Sequence, residues 1–454
     1  MNKHIHFIGI GGIGMSGIAQ LYLEKGVVVS GSDLKMSPIT EKLISQGAKI
    51  YIGHSPANIN GADTVIYSSA IKDDNPEFIE VAKRNITVLK RAEALAGLMQ
   101  EKVAITISGA HGKTTTTSMI SSLLEEAGLA PTVASGGIVR NFKTNAWSGS
   151  GKYFVAEADE SDGSFLYYQP TYSVITNIDR EHLDYYHEFD YIKEAFRDFM
   201  LKTKDNGIIF YNGDDHNLKD IKRQIDKRGL SFGLSKYNDV YPRGVKLKGF
   251  SSEFNCIHKG KNLGQFCLNI PGLHNISNSL VVIALGLELG LAPDTIRKSL
   301  GSYRGTQRRL EVKLDFNDIK VIDDYAHHPT EIKATLEAVR SLKHNRLLVI
   351  FQPHRYSRLK FLFDEFVKVL TNSEHLILSD LYPASEPPIP GITSENLAFK
   401  IRDCGHPDVR FVPKSNLCDC ILRQVGAGDI VLFMGAGDIG HTADELARRI
   451  KKSN

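Results

Sequence analysis

The chain has 454 residues, of which 55 are Lys or Arg and 52 are Asp or Glu, giving a formal net charge of +3. This length predicts about two to four domains, each large enough to bury its own core. Hydrophobic residues make up 42% of the chain and charged residues 24%, which is typical of a globular protein and excludes a disordered or fibrous one. The near-neutral charge argues against a dedicated nucleic-acid-binding protein.

The sequence also argues against membrane insertion and against a secreted disulfide scaffold. The longest uninterrupted apolar stretch, residues 280–287, is far shorter than the roughly 18 residues that suggest a membrane span. The five cysteines are an odd number without the paired spacing of a zinc site. We therefore expect reduced thiols and a cytoplasmic location. The oligomeric state is left open.

Short β-branched runs alternate with segments of helical periodicity, which predicts α/β domains with parallel sheets. In the first hundred residues we predict strands at 4–8, 27–30, 65–68 and 87–90 and a helix at 15–25. A second series comprises a helix at 114–127, ending at a Gly128 cap, and strands at 103–107, 153–156, 173–176 and 207–211.

Residues 241–270 alternate and contain several glycines, which predicts antiparallel strands. A third series comprises strands at 320–322, 347–351, 376–379 and 430–434 and a helix at 442–450. Domain boundaries are expected near residues 99–102 and 303–307. The sequence therefore predicts three domains, at 1–100, 101–305 and 306–454.

A glycine-rich loop follows the first predicted strand and opens the first helix. Its glycines are Gly9, Gly11, Gly12 and Gly14, and Asp33 follows the next strand. Glycines at this spacing allow a diphosphate to approach backbone N–H groups at a helix N-terminus, and the acidic residue can accept a ribose hydroxyl. The alternative is that the glycines serve only helix–strand packing. We predict a nucleotide-diphosphate site and leave the nucleotide open at this point.

A second loop, residues 108–117, also lies between a predicted strand and a helix. It contains G-x-x-G-K-T from Gly109 to Thr114, although the first glycine of the full phosphate-loop pattern falls at Ile107. Its backbone N–H groups would cradle a triphosphate, Lys113 would meet the β and γ oxygens, and the Thr114 hydroxyl would bind Mg²⁺. The alternative is a polar turn without function.

Acidic and histidine residues follow the next two strands of this domain. Glu157 begins an acidic run that ends at Asp162, and His182 follows the strand at 173–176. Active groups of parallel sheets gather beyond the carboxyl ends of strands, so Glu157 and His182 could converge on Lys113 and hold Mg²⁺. A solvated acidic face and a loop hydrogen bond are the alternative interpretations.

Three polar clusters mark the last domain: Arg308-Arg309, residues 323–328 and residues 354–358. The last two follow predicted buried strands. Paired arginines suit phosphate or carboxylate, because the guanidinium fork binds both groups bidentately. Surface charge is the alternative interpretation for any one cluster.

Taken together, these motifs resemble those of the Mur ligases of peptidoglycan synthesis. The resemblance extends over essentially the whole chain in the right order, and its last two motifs are specific to the branch whose substrates are UDP-N-acetylmuramate and L-alanine. The matching motifs are GIGGIGMSGIA, GAHGKTTTT, VAEADESDGSF, TNIDREHLDYY, LHNISNS, QRRLE, DDYAHHPTE and FQPHRYSR.

The resemblance implies an N-terminal Rossmann-like domain for the UDP-sugar, a central ATPase domain of the phosphate-loop type and a C-terminal Rossmann-like domain. The UDP-sugar residues would be Gly9, Gly11, Gly12, Gly14 and Asp33. The ATP residues would be Gly109, Ala110, His111, Gly112, Lys113, Thr114, Thr115, His274, Asn275, Asn278 and Asp324. The metal ligands would be Thr114, Glu157 and His182.

The resemblance also implies the residues that handle the amino acid and the reaction. The amino-acid residues would be Tyr325, His327, His354, Arg355 and Arg358. The catalytic residues would be Lys113, His182, Arg309 and His327. Sister ligases hold a second metal through a carbamylated lysine about 15 residues after the histidine, where this chain has Arg197, with Lys193 four residues earlier. We therefore expect no carbamate here.

The implied activity is ATP-dependent amide formation through an acyl phosphate, with ATP as a substrate and Mg²⁺ as cofactor. The near alternative is the related recycling ligase that adds a whole tripeptide to the same UDP-sugar. A second alternative is a nicotinamide-dependent oxidoreductase, in which Lys113 and Glu157 would have no function. A non-catalytic nucleotide sensor is the remaining alternative.

Overall fold

The structure, a computed structural model, describes residues 3–68 and 70–452. The chain folds into two compact units. The first comprises the chain up to residue 243 together with residues 255–266 and 277–304, and the second comprises residues 244–254, 267–276 and those from 305 onward. The described residues form three sheets, and the α/β architecture predicted from the sequence is confirmed.

The first sheet has five parallel strands in the order β3-β2-β1-β4-β5. The order reverses between β1 and β4, where ligands bind in open sheets of this kind. The strands are β1 (His4–Ile8), β2 (Val28–Asp33), β3 (Lys49–Ile52), β4 (Thr64–Tyr67) and β5 (Thr87–Lys90). The helices are α1 (Ile13–Glu24), α2 (Pro38–Ser45), α3 (Pro76–Arg84) and α4 (Arg91–Met99).

The second sheet has ten strands in the order β15-β14-β13-β12-β11-β10-β6-β9-β7-β8. The strands are β6 (Val103–Ser108), β7 (Thr132–Val139), β8 (Thr144–Trp147), β9 (Tyr153–Glu157), β10 (Tyr172–Ile175), β11 (Ile208–Asn212), β12 (Gly229–Phe232), β13 (Val240–Lys248), β14 (Ser251–His258) and β15 (Lys261–Leu268). The helices are α5 (Lys113–Glu126), α6 (Leu183–Tyr186), α7 (Phe189–Leu201), α8 (His216–Arg223), α9 (Leu273–Glu288) and α10 (Pro293–Ser302).

The centre of this sheet is parallel, and α5 packs against its strands β6, β7 and β9. Met119, Ile120 and Leu123 of that helix are fully buried, and Gly128 adopts the left-handed conformation predicted for its cap. Only two residues separate β13 from β14 and β14 from β15. Connections this short join antiparallel strands, as predicted for residues 241–270.

A hairpin formed by β7 and β8 was not predicted from the sequence. Its two strands pair antiparallel with an irregularity between Ala134 and Val139. The second strand lies against the first helix of the chain, because Asn145 Nδ2 donates to Ile13 O at 2.9 Å and Gln20 Nε2 donates to Ala146 O at 2.8 Å. The hairpin therefore connects the first sheet's helix to the second sheet.

The third sheet has the order β16-β17-β21-β18-β19-β20, with β16 antiparallel to β17 and the others parallel. Alternate residues of its central strands enter two separate cores, so helices cover both faces. The strands are β16 (Glu311–Phe316), β17 (Ile319–Asp324), β18 (Arg346–Phe351), β19 (His375–Leu378), β20 (Val409–Phe411) and β21 (Asp429–Met434). The helices are α11 (Pro329–Arg340), α12 (Tyr356–Phe361), α13 (Phe363–Leu370), α14 (Ser394–Asp403), α15 (Lys414–Leu422) and α16 (Ile439–Lys452). Among the described residues, no helix is long and apolar enough to cross a membrane.

Candidate active site

The first glycine loop lies at the carboxyl ends of β1 and β2. Gly9 has a φ of 79°, and its N–H and that of Ile10 donate to Ser32 O at 2.9 and 3.0 Å. The Gly11 N–H donates to Asp33 Oδ2 at 2.8 Å. The loop then enters α1, so it lies at a helix N-terminus, where the helix dipole favours an anion. The structure thus brings Asp33 to the loop as a direct partner of Gly11.

A cavity of about 520 Å³ lies in the first unit. Its lining includes Tyr67, Lys90, Arg91, Asp162, Ser164 and Tyr185. Arg91 Nη2 lies 3.2 Å from Asp159 Oδ2, and an added Cβ at Gly14 would lie 3.0 Å from Arg91 Nη1. The cavity therefore extends from the neighbourhood of the first glycine loop to the acidic run after β9.

The second glycine loop lies between β6 and α5. Gly109 and Gly112 have φ values of 128° and 85°, so a side chain at either position would be strained. Asn177 Oδ1 accepts from the His111 N–H at 2.8 Å, and Asn177 O accepts from the Ala110 N–H at 3.2 Å. The loop is therefore fixed by the segment after β10.

Lys113 begins α5 and turns back over this loop. Its Nζ donates to Gly109 O at 2.6 Å and to Glu160 Oε1 at 2.7 Å. Burial disfavours the ammonium charge, but the carboxylates of Glu160 and Asp159 outweigh it and raise the pKa of Lys113. Lys113 therefore stays protonated and cationic at the loop.

Glu157, at the end of β9, faces the start of α5. Its Oε2 accepts from Thr114 Oγ1 at 3.2 Å, and its Oε1 accepts from the Gly136 N–H at 2.6 Å and from Ser135 Oγ at 3.3 Å. The predicted metal ligands Thr114 and Glu157 thus lie in direct contact. Hard oxygen ligands of this kind suit Mg²⁺.

His182 lies beside a carboxylate that sequence reasoning did not select. Its Nε2 is 3.6 Å from Glu160 Oε1 and 3.8 Å from Glu181 Oε2. His182 adopts a left-handed backbone conformation, with a φ of 57°. This conformation is strained for a residue with a side chain, and residues strained in this way cluster at functional sites. Glu160 is only 2% exposed. The acidic run after β9 was an available signal, but it did not distinguish Glu160 from its neighbours.

Two further predicted ATP residues lie in the first unit. An added Cβ at Gly112 would lie 2.9 Å from Asn278 Oδ1, which places Asn278 against the loop. Thr115 is buried in the first turn of α5. Both residues therefore lie beside the second glycine loop or in the helix turn that follows it.

The second unit contains the predicted residues His274, Asn275, Arg309 and Asp324. Burial, together with the charge of Arg309, lowers the pKa of His274 to about 4. Asn275 Nδ2 donates to Pro271 O at 2.7 Å, which fixes its amide. His274 is therefore neutral near pH 7.

The side chain of Asp324 binds the backbone next to the arginine pair, Arg308 and Arg309. It accepts from the backbone N–H groups of Leu310 and Ala326, both at 2.7 Å. Burial raises its pKa to about 6 against the opposing charge of Arg309. Arg309 Nη1 lies 3.5 Å from Glu331 Oε1. The carboxylate of Asp324 therefore holds the segment that carries Arg309.

The predicted amino-acid residues converge after β17 and β18. The rings of Tyr325 and His327 lie 5.3 Å apart, and those of His327 and His354 lie 5.9 Å apart. Arg358 Nη1 lies 3.1 Å from His354 Nδ1. Arg355 Nε instead donates to Glu386 Oε1 at 2.6 Å. Four of the five residues therefore form one cluster, and Arg355 is held at its side by Glu386.

Both histidines of this cluster are neutral. Burial lowers the pKa of His327 well below its usual value, and burial with the charges of Arg358 and Arg355 lowers that of His354 to about 4. His327 Nδ1 lies 2.9 Å from Tyr325 O, so this nitrogen carries the proton and Nε2 keeps a lone pair. The guanidinium of Arg358 donates to His354 Nδ1, so His354 carries its proton on Nε2.

Comparison with known families covers nearly the whole chain. Residues 4–103 match the model of the Mur ligase family catalytic domain, residues 107–286 match the Mur ligase middle domain, and residues 308–437 match the Mur ligase glutamate ligase domain.

The chain belongs to the Mur ligase family.

Full-length relatives place it within the Mur ligases. It is 46% identical to the UDP-N-acetylmuramate–L-alanine ligase of Geobacter sp. (strain M21), over 99% of this chain and 98% of that one. Among solved structures it is similar to the UDP-N-acetylmuramate-alanine ligase of Thermotoga maritima, with a TM-score of 0.85, 29% identity, and coverage of 99% of this chain and 100% of that chain.

A murein peptide ligase from Psychrobacter arcticus 273-4 shares the Mur ligase fold. Its TM-score is 0.71 at 24% identity, covering 100% of this chain and 98% of that chain. The resemblance drawn from the motifs is therefore confirmed, as are the three-domain α/β architecture and the assignment as an ATP-dependent ligase.

Proposed function

We propose that this chain joins L-alanine to the lactyl carboxylate of UDP-N-acetylmuramate, in the synthesis of peptidoglycan precursors in the cytoplasm. The observation that carries the proposal is the presence in one unit of two glycine loops, each at a helix N-terminus, with Lys113 and Glu157 at the second. Two such loops suit two phosphorylated ligands. The names of the full-length relatives support the choice of substrates.

We assign the tasks to the three domains whose boundaries the sequence predicts, 1–100, 101–305 and 306–454. The first would bind the UDP diphosphate at Gly9, Gly11, Gly12 and Gly14. The cavity lined by Lys90 and Arg91 has the size for a sugar, since ligand cavities typically enclose about 300–1,000 Å³. The second would bind ATP, and the third would supply the amino acid and Arg309.

The ATP site would use the loop Gly109–Thr115 together with His274, Asn275, Asn278 and Asp324. Mg²⁺ would be held by Thr114 and Glu157, with His182 on a second ion, since the contact between Thr114 and Glu157 provides oxygen ligands. The ion supplies neutralisation of phosphate charge when bound. We assign Mg²⁺ and these ligands as part of the proposal.

The first half-reaction transfers the γ-phosphoryl group of ATP to the sugar carboxylate. A carboxylate oxygen attacks the phosphorus, the bond to the bridging oxygen breaks, and ADP leaves. Two anions must approach each other, so Lys113 and Arg309 would offset the charge that develops in the transition state. Holding the reactants in line lowers such a barrier by roughly 7–11 kcal/mol.

The second half-reaction forms the amide. The neutral amine of L-alanine attacks the acyl carbon, and inorganic phosphate leaves from a tetrahedral intermediate. The amine loses a proton during this step, and the lone pair on His327 Nε2 is the acceptor that we assign. Arg358 would hold the alanine carboxylate through its planar fork, because a fork matches a carboxylate bidentately. Tyr325, His354 and Arg355 would complete the pocket.

The test is phosphate release with ATP and UDP-N-acetylmuramate, measured with L-alanine, with the tripeptide and with neither. We expect phosphate release in the assay with L-alanine and none in the other two assays. Release only with the tripeptide would assign the chain to the recycling branch. Turnover of NADH, followed by absorbance, would instead support an oxidoreductase, and binding of nucleotide without any turnover would support a sensor.

A further inference from the structure

The short helix α12 carries Arg358 and cannot cap its own N-terminus. It has six residues, Tyr356–Phe361, and Arg355 stands at its N-cap position with a φ of 68°. This left-handed conformation costs free energy for a residue with a Cβ, and a helix of this length is marginal by itself. A guanidinium has only donors, so Arg355 cannot accept from the free N–H groups of the first turn. The start of α12 therefore needs an acceptor from elsewhere in the chain.

Glu386, which lies 29 residues beyond Ser357, supplies that acceptor. Its Oε2 accepts from the Ser357 N–H at 2.9 Å, and its Oε1 accepts from Ser357 Oγ and from Arg355 Nε, both at 2.6 Å. Partial burial disfavours the charge of Glu386, but the hydrogen bonds from Ser357 and the charge of Arg355 outweigh it and lower the pKa of this carboxyl. An anion at a helix N-terminus is also favoured by the helix dipole. Glu386 is therefore an ionised cap on α12.

Residues 382–386 form a loop after β19, here called the capping loop, and it contains a strained turn. The Glu386 N–H donates to Pro383 O at 3.0 Å, and the two residues between them, Ala384 and Ser385, have φ values of 47° and 69°. Turns with two positive φ values favour Gly, Asn and Asp at these positions. Such strain persists only where surrounding contacts hold it, and it clusters at functional sites. The contacts of Glu386 with α12 can offset this strain.

Tyr382, at the start of the capping loop, holds the imidazole that Arg358 contacts. Its ring stacks on that of His354, with centroids 5.5 Å apart and planes at 5°. The Tyr382 N–H donates to Pro353 O and the Arg355 N–H donates to Tyr382 O, both at 2.8 Å. His354 Nδ1 accepts from Arg358 Nη1 at 3.1 Å. The capping loop therefore contacts both the helix that carries Arg358 and the partner of its guanidinium.

We infer that the capping loop positions the guanidinium of Arg358 for the carboxylate of the incoming amino acid, with Glu386 as its main positioning residue. The inference rests on the proposed function and deepens it, since it makes the amino-acid site depend on a residue that acts only through α12. A planar fork binds a carboxylate bidentately only in the right orientation, and a site of this kind must be held to within about 0.5 Å by the residues around it.

The experiment replaces Glu386 by Gln, which removes the charge of the cap, and measures the kinetics for each substrate separately. We expect kcat/KM for L-alanine to fall roughly 10–100-fold, mainly through KM, because small displacements of a binding group cost this much. The KM values for ATP and UDP-N-acetylmuramate should not change, and neither should the acyl phosphate trapped with hydroxylamine. Glu337→Gln removes the same charge from an exposed position of the same unit and should keep the kinetics of the parent protein.

A double variant separates positioning of Arg358 from general stabilisation of the unit. Adding Glu386→Gln to Arg358→Lys should lower kcat/KM for L-alanine by less than about threefold further, because the fork that Glu386 positions is already lost. Fully additive losses would overturn the inference, since Glu386 would then act by another route. Far-ultraviolet circular dichroism checks that each variant is folded. Glu386→Asp, which keeps the charge but withdraws the carboxylate by one methylene, should show a milder effect in the same direction and serves if Glu386→Gln does not fold.

Hydrogen exchange tests the capping loop without any substrate. Amide protection in a peptide covering residues 355–362 should fall about tenfold or more in Glu386→Gln, because the cap is lost, and should stay unchanged in Glu337→Gln. Unchanged protection in Glu386→Gln, or an unchanged KM for L-alanine, would overturn the inference. Because the exchange measurement contains no substrate, this failure is distinguishable from failure of the ligase assay with the parent protein.

Discussion

The backbone N–H of Gly136 donates to Glu157 Oε1 at 2.6 Å, and a Cβ at Gly136 would lie 2.5 Å from Glu157 Oε2. The carboxylate therefore rests against a bare backbone position on the first strand of the β7–β8 hairpin. Only glycine fits at this position, because the Cβ of any other residue would push Glu157 away from Thr114.

Gly136→Ala should displace Glu157 and impair the ATP-dependent step without unfolding the chain. We expect kcat to fall by at least about tenfold and the Mg²⁺ concentration for half-maximal rate to rise, since Glu157 is assigned to the metal. Both are read from initial rates across a Mg²⁺ series. Gly97→Ala is the matched control, because a Cβ there meets nothing within 4 Å, and its kinetics should equal those of the parent protein.

Lys113→Ala should abolish ADP formation, because the ammonium is needed for the phosphates. The variant should also lose stability, since Glu160 would be left buried without its cation. ADP is measured with all three substrates present, and the thermal midpoint is measured in parallel. ADP formation at a rate near that of the parent protein would contradict the assignment of the phosphate loop.

Gly11→Val should raise the KM for UDP-sugar far more than the KM for ATP. A Cβ at Gly11 would lie 2.7 Å from Asp33 Oδ2, so the substitution both disturbs this contact and blocks approach of a diphosphate. The two KM values are determined separately under saturation by the other substrates. A selective loss of ATP affinity would exchange the roles of the two loops.

Arg358→Lys should raise the KM for L-alanine and leave those for ATP and UDP-sugar nearly unchanged. Lysine keeps the charge but loses the fork and the contact with His354. We expect a loss of roughly one to three orders of magnitude in kcat/KM for L-alanine. Acyl-phosphate formation, trapped with hydroxylamine, should persist. Loss of that trapped product with an unchanged alanine KM would place Arg358 in the phosphate machinery.

The stability of the chain should fall as the pH falls from about 6.5 toward 4, in part through His354. The folded state holds the pKa of His354 at about 4, below the ordinary 6.5, so the unfolded chain takes up the proton first. The contribution is therefore complete above pH 6.5 and is lost as the pH falls through this window.

Denaturant midpoints measured from pH 7.5 to 4.5 test this prediction. His354→Gln should show a shallower dependence on pH than the parent protein, whatever its absolute stability. His441→Gln, at an exposed position, is the control and should keep the slope of the parent. Equal slopes in all three proteins would contradict the prediction.

The sequence by itself determined the α/β class, the order of the three sheets and both glycine loops. These follow from local signals, because strand periodicity, glycine spacing and helix caps are read within a few residues. The strands His4–Ile8 and Thr87–Lys90 were predicted with the bounds observed. The polar clusters after β17 and β18 were also predicted, because each directly follows a strand and the carboxyl ends of parallel strands meet at one edge of the sheet.

Only the tertiary structure decided which polar side chains meet. The β7–β8 hairpin is irregular and its first strand contains Gly136 and Gly137, so its strands carry little periodicity, yet it supplies the N–H that holds Glu157. Glu160 could not be distinguished within its acidic run, because its burial depends on Lys113 and His182, which lie 47 and 22 residues away along the chain. The burial of a side chain and its pairing depend on residues that are distant in sequence, so neither can be predicted from the neighbouring residues.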